Sequence, residues 1–245
     1  MAFAPEITPI PPALLDAAAR PYRRAGLFAY YFARGKLQGD PVFAAILSLG
    51  LLQGRSRILD LGCGQGLLTA WLRAAQHCYE GGTWPYSWPA APLSVSTCGI
   101  ELMGRDVERA RRALGPGTQV VHGDIRTAPF GNPDAVVIFD VLHYMSADSQ
   151  RQVLQRVRAA LPDDGLLLLR VGDAAGGLRF RYGQWTDKVI MLMRGHGLVN
   201  LYCRTTEQWL ALLHECGFDG AVLPMSQGTP FANVLLVARA RQRAG

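Results

Sequence analysis

From about residue 53 onward, short apolar runs alternate with longer mixed stretches. The runs near 57–61, 97–101, 119–122, 135–140, 165–171, 220–225 and 233–239 predict strands. The stretches near 66–76, 104–114, 147–161 and 205–216 predict the helices between them. "ALGPG" at 113–117 and "LPDDG" at 161–165 are stop signals ahead of the next strand. Ser146 is placed to cap a helix, and Thr205 with Gln208 three residues on forms the pattern of a capping box. The alternation predicts an α/β fold with a mostly parallel sheet.

Four stretches stand outside this alternation. Residues 1–12 are proline-rich and read as an extended arm. Residues 13–52 read as helices interrupted at Pro21 and around Gly39-Asp40-Pro41, so residues 1–52 form an arm and helical lid ahead of a main domain over 53–240. Residues 78–94, rich in Gly, Pro and Trp, read as a surface insertion without regular structure. Residues 176–200 carry aromatic, basic and Met side chains and read as a lid segment; Arg179, Arg181, Trp185, Met191, Met193 and His196 suit an aromatic or acyl substrate with an acidic group, or equally the buried face of a lid helix.

In residues 20–36, at about 100° per residue, Arg20, Arg23, Arg24 and Arg34 share a broad side with Leu27 and Tyr31. Ala25, Gly26, Ala29 and Ala33 lie opposite. Basic and bulky apolar residues therefore do not oppose each other, which argues against a membrane-surface helix and for a lid helix whose small face packs on the core. Surface association stays as the lesser alternative.

Composition narrows the class. The 245 residues suffice for one domain with a full core, and 49% hydrophobic with 18% charged residues fits a globular chain. The longest apolar run, Val42 to Leu52, is too short to span a membrane, and the N-terminus lacks the basic and apolar regions of a signal peptide. The five cysteines, odd in number and without metal spacing, indicate reduced thiols and a cytoplasmic setting. The formal charge of +6 comes almost entirely from arginine. It reflects either an ordinary arginine-rich surface or an acidic partner, such as a carboxylated or phosphorylated small molecule, an acidic carrier protein or a membrane surface. No dense basic run with interleaved aromatics appears outside residues 20–36, which argues against nucleic acid.

The chemistry centres on "ILDLGCGQG", residues 58–66. In an open α/β sheet, ligands bind beyond the carboxyl ends of the strands, and here a strand ends in a glycine loop. Glycines let a ligand approach the backbone, and the helix that follows offers free N–H groups. A dinucleotide fingerprint would read G-x-G-x-x-G with an acid about 20 residues on. The spacing here is Gly62-x-Gly64-x-Gly66, residue 67 is leucine, and Asp60 precedes the first glycine. That disfavours a nicotinamide-dependent oxidoreductase, which stays as the alternative.

"LDLGCGQG" resembles the first motif of class I S-adenosylmethionine-dependent methyltransferases. Further matches follow in order: Glu101 at the end of the second strand, Asp124 in "VHGDI", Asp140 and His143 in "PDAVVIFDVLHYM", and the turn and strand of "LPDDGLLLLRVGD". The resemblance covers roughly residues 50–240. It implies a Rossmann-like three-layer sandwich whose seven-stranded, mostly parallel sheet ends in an antiparallel strand. It also implies S-adenosylmethionine as cofactor, with Glu101 on the ribose hydroxyls, Asp124 on the adenine amino group and Ile125 beside the ring. Gly62, Cys63 and Gly64 would pack against the methionine portion, with Gly66, Leu102 and Asp140 completing the cofactor contacts. Asp60 either orders the loop through local N–H groups or meets the amino group. No metal is expected.

Methyl transfer from a sulfonium needs positioning and desolvation, and a base only where the acceptor must lose a proton. His143 is the first candidate base, since its ordinary pKa lies near neutrality; Asp140 and Tyr144 are further catalytic candidates, and a structural His143 is the competing reading. His77, His122, His196 and His214 are less well placed. Asp140-Val141-Leu142-His143 stands where methylases of nucleic acid bases often carry (N/D)PP(Y/F). The expected acceptor is therefore a small or carrier-bound molecule, methylated on oxygen rather than nitrogen, and a module that binds cofactor without turnover is the non-enzymatic alternative. A protein or RNA acceptor lacks a recruitment motif.

Overall fold

The structure is a computed structural model and describes residues 8–177, 201–230 and 232–243. Most of the expected arm and of the 176–200 segment, including Arg179, Arg181, Trp185, Met191, Met193 and His196, lies outside the described residues. The chain divides into two compact units, Met1–Val136 and Val137–Gly245.

The first unit opens with α1 (Pro12–Ala19), a 3-10 turn (Arg20–Ala25), α2 (Leu27–Gly39) and α3 (Pro41–Ser48). It continues with β1 (Arg57–Leu61), α4 (Leu67–Glu80), β2 (Ser96–Glu101), α5 (Gly104–Leu114) and β3 (Gln119–His122). β4 (Ala135–Phe139) begins in this unit and ends in the second. The second holds a 3-10 turn (Leu142–Tyr144), α6 (Ala147–Ala160), β5 (Leu166–Gly172), α7 (Thr206–Glu215), β6 (Phe218–Pro224) and β7 (Asn233–Ala240).

The seven strands take the order β3-β2-β1-β4-β5-β7-β6. β1 and β2 run parallel with Leu61 beside Ile100, β2 and β3 run parallel with Glu101 beside His122, and β7 is antiparallel to both β5 and β6. This is the Rossmann-like α/β sheet with an antiparallel last strand that the sequence implied. Ala135–Ile138 in β4 and Leu166–Val171 in β5 are buried residue after residue, as strands covered on both faces must be. β4 stops before Asp140, whose φ of +57° leaves the extended region.

Asp40 caps α3 by accepting from Val42 N at 3.2 Å, with Pro41 just inside the helix. Ser146 caps α6, and the Thr205–Gln208 capping box is complete on α7. The α-helical run is interrupted at Pro21 as expected: α1 ends at Ala19 and Pro21 sits at the start of the 3-10 turn, where its missing N–H leaves no acceptor unmet. A further break comes at Gly26 with φ +107°. One helical wheel therefore does not run through residues 20–36. Within α2 the small face is the inner one: Ala29 and Ala33 are buried, while Leu27, Phe28 and Tyr31 are exposed.

The 78–94 stretch also differs from expectation. Its first residues, through Glu80, complete α4, and Cys78, Trp88 and Ala91 are buried. Trp84 packs edge-on against both Tyr79 and Trp88, and its Nε1 donates to Pro89 O at 2.9 Å. Gln53 Nε2 donates to Ala90 O at 3.2 Å, tying the insertion to the segment before β1.

Candidate functional site

β1 delivers Asp60 and Leu61 to the glycine loop, which turns through Gly62, Gly64 and Gly66 at φ of +76°, +55° and +75°. These values exclude most side chains. The N–H groups of Gly62 and Cys63 both donate to Ile100 O, at 2.8 and 3.2 Å, fastening the loop to the end of β2. A Cβ on Gly66 would lie 2.7 Å from Leu114 Cδ1 and displace the tip of that leucine, on top of the strain of a side chain at φ +75°. A Cβ on Gly64 would meet nothing within 4 Å, so open space lies against the backbone there. A Cβ on Gly99 would lie 2.6 Å from Cys63 Sγ. The Cys63 side chain thus fills the underside of the loop, in a cluster with Val107, Ala110 and Val120.

Glu101 ends β2, where its Oε2 accepts from Gly64 N at 2.8 Å and its Oε1 from Met103 N at 2.7 Å. Asp60 is 5% exposed, and among the described residues no hydrogen bond reaches its carboxylate. The local N–H partners that the sequence allowed for it do not form. Burial first, and the neighbouring Glu101 second, push its pKa up to about 7. Tyr22, fully buried in the 3-10 turn, donates from its hydroxyl to Gln65 O at 2.9 Å and so braces the loop from the N-terminal segment.

Leu102 exposes an apolar side chain just beyond Glu101. Asp124 follows β3 and accepts from Arg126 through the backbone N at 2.8 Å and the guanidinium Nε at 2.9 Å. Ile125 beside it is buried.

In the second unit, Asp140 accepts from the guanidinium of Arg170 on both carboxylate oxygens, the Nε–Oδ1 distance being 2.9 Å. Arg170 is 1% exposed, so this pair neutralises a cation inside β5. His143 lies in the 3-10 turn after β4, is buried, and lies against Tyr144 with ring centroids 4.1 Å apart and ring planes tilted by 50°. Burial, with Arg170 adding to it and Asp140 opposing, holds the imidazole below its usual pKa. It is thus neutral and able to accept a proton at neutral pH.

Gln150, fully buried on α6, anchors this turn. The two N–H groups of its Nε2 are shared among Leu142 O, Met145 O and Tyr202 O, at 3.1, 3.1 and 2.8 Å, and its Oε1 accepts from Arg204 Nε at 2.8 Å. Tyr202 N donates to His143 O at 2.8 Å.

Tyr22, Gln150 and Arg170 were not singled out by sequence reasoning. Two of them carried a signal. Gln150 shares the buried stripe 150/153/154/157 of α6 with three apolar residues, and Arg170 interrupts the apolar run "LLLLRVGD". Among the described residues no group of three or more His, Cys, Asp or Glu could hold a metal. The five cysteines are free thiols. No described helix is long and apolar enough to cross a membrane.

A Rossmann-like sheet, an alternating glycine loop and a strand-end glutamate bonded to that loop place the chain in the three-layer α/β class. The methyltransferase domain family matches residues 31–221, and the chain belongs to it. The chain is 29% identical over 140 residues to a carboxy-S-adenosyl-L-methionine synthase of Chromohalobacter salexigens, covering 53% of this chain and 47% of that protein. The synthase of the same name from Vibrio parahaemolyticus is 30% identical over 135 residues, covering 53% and 51%. The chain spans about half the length of these curated relatives.

Among solved structures, an O-methyltransferase family protein from Burkholderia thailandensis superposes with a TM-score of 0.62 at 17% identity, covering 91% of this chain and 63% of that one. An O-methyltransferase of neocarzinostatin biosynthesis, solved with S-adenosylmethionine and 2-hydroxy-5-methyl naphthoic acid, gives 0.58 at 21% identity over 92% and 60%. These structures share the fold.

Proposed function

We propose that the chain binds S-adenosylmethionine at the glycine loop and transfers its methyl group to an oxygen of a small or carrier-bound molecule. The observation that carries this reading is Asp60. A buried carboxylate without a donor among the described residues calls for a cationic ligand, and it stands beside a second carboxylate and an open stretch of backbone. An adenosyl amino acid fits this set. Its positive charge answers Asp60, and its ribose hydroxyls suit Glu101, whose oxygens each keep a lone pair beyond the bonds from Gly64 and Met103.

The bound cofactor supplies an electrophilic methyl group on a sulfonium. Gly62, Cys63 and Gly64 present backbone to the amino acid portion, and the Gly66 turn sets the start of α4. Leu102 and Ile125 flank the adenine ring, and Asp124 accepts from its amino group while staying held by Arg126. In the second unit, neutral His143 takes the proton from the acceptor hydroxyl. Asp140, with Arg170 on both oxygens, tunes the charge around His143, and Tyr144 orients the imidazole.

A calorimetric titration with S-adenosylhomocysteine, run beside NADH, tests the cofactor. Micromolar binding of the first and none of the second is the expected result; the reverse sinks the reading. Glu101→Ala is expected to weaken S-adenosylhomocysteine at least tenfold, since losing a charged hydrogen-bond partner costs roughly 1.5–3 kcal/mol, and unchanged affinity removes Glu101 from the ribose. A screen with phenols and aliphatic acids then identifies the acceptor.

A further inference from the structure

The first unit carries a second concavity that the methyl-transfer reading does not use. It has a volume of about 450 Å³ and lies among α1, the Arg20–Ala25 turn, α4 and the end of α5. None of Asp60, Gly62 to Gly66 or Glu101 lines it.

Its walls come from two stripes of the same design. Ala17, Arg20, Pro21 and Arg24 form one, and Ala70, Arg73, Ala74 and His77 the other. The second is spaced i, i+3, i+4, i+7 within α4, so its members share one side of that helix; the first runs from the end of α1 into the 3-10 turn. In each, a small or ring-closed residue alternates with a basic one. The small residues leave room, and the basic ones supply N–H donors around it. Ala113 and Leu114 of α5 close an apolar end.

No acidic residue lines the cavity. Among the described residues Arg20, Arg24, Arg73 and His77 make no ion pair, whereas Arg34, Arg109, Arg112, Arg151 and Arg158 each meet a carboxylate. The Arg73 guanidinium is already fixed, donating to Leu114 O at 2.9 Å and Thr118 Oγ1 at 3.0 Å, which leaves three of its five N–H groups for another acceptor. Three exposed arginines that line one hollow, with no carboxylate among the lining residues, complement a compact dianion. The volume exceeds a bare phosphate and falls in the range of small-molecule pockets.

We infer that this cavity binds a phosphate-bearing small molecule, the phosphate on Arg20, Arg24 and Arg73 and its organic body on Ala70, Ala74 and Leu114. The site is distinct from the glycine loop and does not depend on its reading.

Calorimetry at low ionic strength with phenyl phosphate as the probe, and inorganic phosphate in parallel, tests it. Phenyl phosphate is expected to bind, and more tightly than phosphate alone. The double variant Arg20→Gln/Arg24→Gln is expected to weaken it at least tenfold. Arg105→Gln/Arg112→Gln removes the same charge from the exposed side of α5 and is expected to leave it unchanged. Affinity for S-adenosylhomocysteine, measured on the same samples, is expected to be equal in the wild type and in Arg20→Gln/Arg24→Gln. Three results overturn the proposal: no binding to the wild type, equal weakening in both double variants, or joint loss of phenyl phosphate and S-adenosylhomocysteine in the first.

Discussion

At the scale of single residues, Asp60 sets fold stability against ligand binding. Its carboxyl is lifted to about 7 from the usual 3.8, chiefly by burial. In the folded state it therefore holds a proton that the unfolded chain releases at much lower pH. Its contribution to stability is fully present below about pH 3.8 and is lost as pH rises towards about 7. Asp60→Asn keeps the neutral form at every pH. The variant is expected to be the more stable protein at pH 8, by at least about 1 kcal/mol, and to lose tenfold or more in affinity for S-adenosylhomocysteine. Denaturant midpoints at pH 5 and pH 8 check the first part; a stability difference that does not change between them removes the linkage. His143 behaves in the opposite sense. Burial holds its pKa down, so the base form persists below the usual imidazole range. The acidic limb of the turnover profile is expected below pH 6.5, and His143→Ala is expected to lose turnover while retaining cofactor affinity. Normal turnover in that variant returns His143 to a structural role.

At the scale of elements, the glycine loop separates packing from access. Gly66→Ala places a Cβ against Leu114 in a left-handed backbone and is expected to cost more than about 1 kcal/mol in stability. Gly64→Ala meets open space, so its stability cost is confined to backbone strain and its larger effect falls on the ligand. Thermal unfolding and calorimetry of the two variants are expected to rank them in opposite orders; the same order in both measurements means that the space over Gly64 is not where ligand lies. The strands around this loop were legible because buried parallel strands are nearly unbroken apolar runs ended by Gly, Pro or Asp. Glu101 was legible because it ends its strand, and Asp60 because it breaks the apolar run of β1 just before Leu61. The break at Gly26 was not, because a glycine carried inside a helix and a glycine that ends one look the same in one dimension. Gln150 left only a partial signal, its place on the buried stripe of α6: three of its partners are backbone carbonyls, and backbone leaves no trace in residue type.

At the scale of the whole molecule, the family match over residues 31–221 takes in most of α2, α3 and the strands from β1 to the start of β6, and leaves out α1 and the Arg20–Ala25 turn. That N-terminal segment is nonetheless bound to the glycine loop through Tyr22 and Gln65. Ligand binding at the loop is therefore expected to stabilise α1 and the Arg20–Ala25 turn together with β1 and β2. At a hundredfold excess over its dissociation constant, S-adenosylhomocysteine is expected to add about 2.7 kcal/mol, read as slowed amide exchange across residues 12–25 as well as 58–66. Protection confined to the loop would mean that the Tyr22 brace does not transmit it.

The aromatic insertion after α4 has an optical consequence. Trp84 and Trp88 stand 5.4 Å apart with ring planes at 85°, and Tyr79 lies 6.0 Å from Trp84. Indole transitions this close couple, giving the segment a circular dichroism signature of its own. Heating the protein while following that band beside the backbone signal at 222 nm makes the insertion a built-in reporter: a couplet that fades first marks an independently melting flap, and one that fades with the helices marks a part of the cooperative fold.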